Sequence, residues 1–193
     1  MAWSRTPQDI AFTTFDLDWG FLALRPVDVR TDVTLLRRWL LDPGTGSLPS
    51  NRNTRVRGLL EAMLREPERQ VFLGFRDDVP AFLFETFPSE HEAAHDSLGA
   101  RRGAVGVRVL ACPAAGEDPG LAAAVLRTIA RMVFAAPDAD RVVLEAEPAQ
   151  DRDVRVAAGF HDERLVTARG EEIHLSTRAR SDELAAPGLR AAG

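Results

Sequence analysis

A mixed α/β fold, α/β or α+β in class, is the expectation from the sequence. Strands come in pairs, helices stand between the pairs, and one β–α–β crossover occupies the middle of the chain. The crossover starts in Gly103–Phe134, GAVGVRVLACPAAGEDPGLAAAVLRTIARMVF. Val105, Val107, Val109 and Ala111 alternate with Gly106, Arg108, Leu110 and Cys112, the period of a pleated strand. Leu121, Val125, Ile129, Met132 and Val133 then recur one helical turn apart, so one face of a long helix is apolar.

Taken in order, residues 1–8 are polar and expected to be loose, and IAFTTF and GFLALRPVD read as two strands separated by DLDW. Thr31 or Asp32 is placed to cap a helix over 33–41, with Val33, Leu36, Trp39 and Leu40 as its stripe. DPGTGSLPSNRN is a loop, and a second helix over about 54–66 would bury Val56, Leu59, Leu60, Met63 and Leu64. QVFLGFRDDVPAFLFETF reads as a hairpin meeting at Asp77–Asp78. A polar connection carrying His91 and His95 precedes the central unit. The strand RVVLEAE at 141–147 follows it, then a short helix closed by Gly159. HDERLVTA and EEIHLSTR form a last hairpin turning at Arg169–Gly170. The chain is expected to be one domain over 1–180 with a flexible tail over 181–193.

Composition narrows the function classes. Apolar residues are 45% and charged residues 27% of 193, ordinary for a soluble globular protein. A net charge of −5 argues against a nucleic-acid partner, which rewards clustered positive charge. Every basic residue is Arg and Tyr is absent, which removes a common catalytic acid. A single Cys leaves no intrachain disulfide and fits a reducing compartment. With no apolar run of membrane-spanning length, a cytoplasmic protein without membrane contact is expected.

Candidate chemistry centres on a few residues. Pro119 suits a first helical turn, and Gly116 and Gly120 leave backbone N–H groups unshielded, a setting that favours an anion such as phosphate. Glu145 and Glu147 share a strand face with Val143. A carboxylate ending a central strand in a cleft is suited to accept a proton, and the competing reading is a solvated strand end. Glu85 has the same two readings, and His95 stands on a loop that could fold over a site. His161 and His174 fall on the last hairpin, where a surface position is expected, and the four His lack metal-site spacing. Cys112 reads as a small buried residue, and Arg127 and Arg131 as a solvated helix face.

The succession of strands and helices resembles the GNAT N-acetyltransferase fold. Three segments, FLALRPVDVRTDVTLLRRWLLDP, FLGFRDDVPAFLFETF and the run from GVRVLACP to AAGF, are similar to the branch that acylates hydroxylated lysine or ornithine in siderophore assembly. The resemblance implies a mostly antiparallel twisted sheet of about seven strands flanked by about four helices. It implies acetyl-CoA or another acyl-CoA as donor substrate, with no metal. The donor's pyrophosphate would sit near Gly116, Gly120 and Leu121, and its pantetheine along Val109, Leu110 and Ala111. The acceptor would be an amine or N-hydroxylated amine on a small amino-acid-like molecule, with other biosynthetic enzymes as further partners and a monomer or homodimer as the assembly. Glu147, Glu85 and His95 are the candidate catalytic residues.

The chain departs from that branch at Gly106-Val107-Arg108, where a His is the usual third residue. Arginine stays protonated and cannot act as a base near neutral pH, so Arg108 is expected to bind a substrate carboxylate instead. This departure motivates an alternative, a catalytically silent module that binds a ligand or a protein. A third reading keeps the enzyme but assigns an aminoglycoside or protein N-terminus as acceptor.

Overall fold

In the computed structural model, residues 10–41, 69–88, 103–113, 118–146, 152–168 and 171–185 are described. They form one eight-stranded sheet in the order β1-β2-β3-β4-β5-β6-β8-β7. The strands are β1 (Phe12–Asp16), β2 (Gly20–Pro26), β3 (Gln70–Arg76), β4 (Val79–Pro88), β5 (Ala104–Ala111), β6 (Arg141–Ala146), β7 (His161–Ala168) and β8 (Glu171–Ala179). Among the described residues four helices accompany them: α1 (Val29–Leu41), α2 (Pro119–Phe134), α3 (Arg152–Ala157) and α4 (Arg180–Ala185). Only β5 and β6 pair in parallel among these strands, because α2 carries the chain back across the sheet between them. The sheet thus has one strand more than expected, and its mixed, mostly antiparallel character agrees with the sequence reading.

The two faces bury different helices. Leu22, Leu24, Phe72, Phe82, Phe84, Val107, Val142 and Leu144 pack against Leu121, Val125, Ile129, Met132 and Val133 of α2. On the other face Val71, Leu73, Leu83 and Ala111 pack against Leu36 and Trp39 of α1. The β3–β4 turn is Asp77–Asp78 as the sequence predicts, and both residues take positive φ, 47° and 65°, as a tight hairpin requires. Gly159 closes α3 at φ 80°.

Three local expectations differ. α1 begins at Val29, because Asp28 rather than Thr31 or Asp32 holds its first turn: the Arg30 N–H donates to Asp28 Oδ1 at 3.0 Å. Asp32 instead lies buried inside the turn, accepting both Nη groups of Arg25 at 2.7 and 2.8 Å and the Asp28 N–H at 2.9 Å. Chain from 181 onward does not start as a loose tail, since α4 docks through Glu183, which accepts from Arg131 and Arg178. Residues 186–193 and the expected helix at 54–66 lie outside the described residues.

Burial alone would raise the Asp32 carboxyl, but the hydrogen bonds from Arg25 and the Asp28 N–H, with the Arg25 charge, outweigh it and lower its pKa from 3.8. A depressed carboxyl contributes stability above its unfolded-state pKa and loses it as pH falls through the folded-state value. Asp32→Asn is therefore expected to cost about 1–3 kcal/mol at neutral pH. It should also flatten the acid limb of a stability–pH curve below 3.8, measured by denaturant unfolding; an unchanged acid limb would show that this pair does not contribute.

Candidate active site

Among the described residues the parallel β5–β6 ladder runs from Ala104–Arg141 to Arg108–Glu145. β5 continues through Val109, Leu110 and Ala111, and the described part of β6 reaches Ala146. Among the described residues Arg108 and Glu145 are the last pair of that ladder, and residues 109–111 of β5 lie beyond it.

The same end of β5 carries a bulge. Leu83 of β4 pairs with Ala111 and Phe84 with Val109, so Leu110 is the extra residue. Val105, Val107 and Val109 accordingly pack with the α2 core, but Ala111 packs with the α1 core. The simple alternation expected through Ala111 fails at Leu110 for this reason.

At that last β5–β6 pair, charged side chains lie in a row across three strands. Glu85 on β4 is the register partner of Arg108 on β5, which is the partner of Glu145 on β6. Partners in register share a sheet face, the one that carries Leu83 and α1. Arg108 Nη1 donates to Glu85 Oε1 at 2.7 Å, and its Nη2 donates to Glu145 Oε2. Arg69, just ahead of β3, donates to Glu85 Oε2 at 3.0 Å. Glu85 and Glu145 are buried at 2% and 3% exposure. The Arg69 and Arg108 guanidiniums lie over the Phe87 ring at 5.2 and 5.4 Å. Phe87 has room for its ring because position 106 is Gly: a Cβ there would stand 2.2 Å from the ring. Gly106-x-Arg108 is thus one packing unit, a glycine beneath an aromatic ring that in turn supports a guanidinium.

At the start of α2, Asp118 caps the helix, and its Oδ1 accepts the N–H groups of Gly120 and Leu121, each at 3.1 Å. The Gly120 N–H, expected to be unshielded, therefore has a carboxylate partner, as does that of Leu121, supplied by the ordinary capping preference of Asp. A Cβ on Gly120 would stand 2.8 Å from the Trp19 indole of the β1–β2 turn, so glycine is required by that contact. The Leu121 side chain is buried in the α2 core.

The residues singled out in the sequence divide accordingly. Glu85 and Arg108 come together, and Arg108 has two carboxylate partners where an open guanidinium was expected. Val109, Leu110 and Ala111 are the last three residues of β5. Gly120 and Leu121 stand at the α2 N-terminus. Glu147, His95 and Gly116 lie outside the described residues. Glu145 is buried rather than a solvated strand end, and Arg69 was not singled out, since only register and the fold bring it to Glu85. Arg127 and Arg131 are ion-paired to Asp16 and Glu183 rather than merely solvated. Among the described residues no group of three or more His, Cys, Asp or Glu is placed to hold a metal, and no helix is long and apolar enough to cross a membrane.

Similar folds are known. An uncharacterized protein from Bacillus halodurans superposes with TM-score 0.75 at 18% identity, covering 90% of this chain and 92% of that one. The aminoglycoside acetyltransferase AAC(6')-Ib in complex with coenzyme A gives 0.65 at 16% identity, covering 85% and 98%. Mycobacterium smegmatis RimJ in complex with CoA-disulfide gives 0.59 at 18% identity, covering 84% of each chain. At these identities the likeness establishes the fold. A comparison with curated protein sequences found no match. The family model for an acetyltransferase (GNAT) domain matches residues 28–168, most of the chain. The chain belongs to the GNAT acetyltransferase family.

Proposed function

We propose that this protein is an acyl-CoA-dependent N-acyltransferase acting on an amine or N-hydroxylated amine of a small amino-acid-like acceptor, in siderophore or related natural-product biosynthesis. The observation that carries the reading is that the described β5–β6 ladder has Arg108–Glu145 as its last pair while β5 continues to Ala111. A strand edge freed from its neighbour can pair with an extended chain of amides, and pantetheine is such a chain. Family membership and the coenzyme A complexes of fold neighbours support the donor class. The acceptor class rests on the segment resemblance at 21–43, 72–87 and 106–160.

In this reading Val109, Leu110 and Ala111 hold the pantetheine, and a β5 backbone N–H polarises the thioester carbonyl. The acceptor nitrogen attacks the carbonyl carbon, the C–N bond forms, the C–S bond breaks, and the nitrogen's proton is taken up as the thiol is released. Glu147, following β6, is the proposed proton acceptor, with His95 as the second candidate. Glu85 is less suited, because both of its oxygens already accept guanidinium hydrogen bonds. Gly116, Gly120 and Leu121 are proposed to lie along the donor's pyrophosphate, where the Asp118 carboxylate would have to give up the N–H groups it now holds.

Thiol release from acetyl- and succinyl-CoA, followed with N-hydroxylysine, N-hydroxyornithine, the parent amines, an aminoglycoside and a peptide N-terminus, tests the assignment. Turnover with the amino-acid acceptors is expected. Donor binding without turnover on the whole panel would favour the silent module, which the engaged Arg108 in the place of a His otherwise motivates.

A further inference from the structure

We infer that Arg108 is a positioning residue that sets where β5 and β6 part, and so sets the donor's seat, rather than a receptor for an acceptor carboxylate. The inference rests on the donor reading above. Three observations carry it. Among the described residues Arg108 and Glu145 are the last pair of the parallel ladder, one residue before Val109. The guanidinium fork spans both neighbours, donating by Nη1 to β4 through Glu85 and by Nη2 to β6 through Glu145. The fork is itself fixed, since Phe87 lies beneath it and Arg69 holds the other oxygen of Glu85.

A planar guanidinium suits this task, because two donors in fixed relation tie two carboxylates at once. Lysine carries the same charge as a single ammonium head and cannot reproduce the fork. A third carboxylate brought by an acceptor would meet a guanidinium already paired with two buried carboxylates. The row instead ties β5 to both of its neighbouring strands. It gives β5 a rigid fulcrum one residue before Val109.

The test compares wild type with Arg108→Lys and with the combined variant Glu85→Gln/Arg108→Met/Glu145→Gln, which removes the three charges together and leaves no buried carboxylate without its cation. Amide hydrogen exchange on the free proteins is read at Val107–Ala111 and Val143–Ala146. Acetyl-CoA affinity is read by calorimetry and the acceptor KM by thiol release. Faster exchange confined to those segments, with donor affinity weakened by about tenfold or more and the acceptor KM changed less, supports the inference. Unchanged exchange, or a raised acceptor KM with unchanged donor affinity, overturns it. If wild type binds no acyl-CoA, the donor reading fails, and exchange alone then decides whether Arg108 ties the strands.

Discussion

Replacing Glu183 by Ala is expected to lower the unfolding free energy by roughly 3–5 kcal/mol, the usual cost of leaving a buried charge without its partner. For a chain of this length that is a fall in Tm of about 6–20 °C. Glu183 accepts from Arg131 Nε at 2.8 Å and from Arg178 Nη2, and Arg178 is 5% exposed. Arg178 donates its other Nη to the Ala158 carbonyl at 2.8 Å, so the carboxylate ties α4 to α2, β8 and the end of α3. Burial first, then the nearby Arg131 and Arg127 charges, push the Arg178 pKa below its ordinary value against the opposing pull of Glu183 and Asp182. Removing Glu183 takes away the larger favourable part of that balance and leaves Asp182 alone against burial and the two Arg charges. Adding Arg178→Met to Glu183→Ala should recover part of the loss in thermal unfolding. A double variant no more stable than the single one would mean that packing of α4, not the buried charge, is what matters.

Gly106→Val is expected to cost roughly 3 kcal/mol or more, through overpacking. A Cβ at position 106 would stand 2.2 Å from the Phe87 ring, which is buried at 2% exposure, so the ring must move and with it the support of Arg69 and Arg108. Gly74→Val offers the comparison, because a Cβ there meets the Phe82 ring, also at 2.2 Å, on the α2 face and away from the charged row. Both variants should lose stability in denaturant unfolding. Only the Gly106 variant should lose acetyl-CoA affinity beyond what its unfolded fraction explains. Equal donor affinity in the two folded variants would detach the Phe87–Arg108 unit from the donor seat.

Local pattern revealed much of this fold. Alternation located β5, the Asp77–Asp78 pair marked the β3–β4 turn, Gly159 marked the end of α3, and helical spacing placed α2. These features are decided by neighbours within a few residues, which is what periodicity and turn chemistry report. The charged row was legible only in part. Glu85 and Arg108 stood out as residue types, but that they meet, and that Glu145 and Arg69 join them, depends on strand register between segments far apart in sequence. The Leu110 bulge was hidden for the same reason, because two residues of β5 face one step of β4 only once the strands are paired. α4 was missed because its Ala-, Gly- and Pro-rich surroundings carry little helical signal, and its anchor is one buried ion pair rather than an apolar stripe.

The central claim is that the end of β5 seats an acyl-CoA. Titration of the purified protein with acetyl-CoA, followed by amide exchange on the saturated complex, tests it directly. Saturable binding is expected, with slowed exchange concentrated at Val109, Leu110 and Ala111. No binding up to about 1 mM donor, a free energy weaker than roughly 4 kcal/mol, would contradict the claim; so would saturable binding that leaves those three amides unprotected.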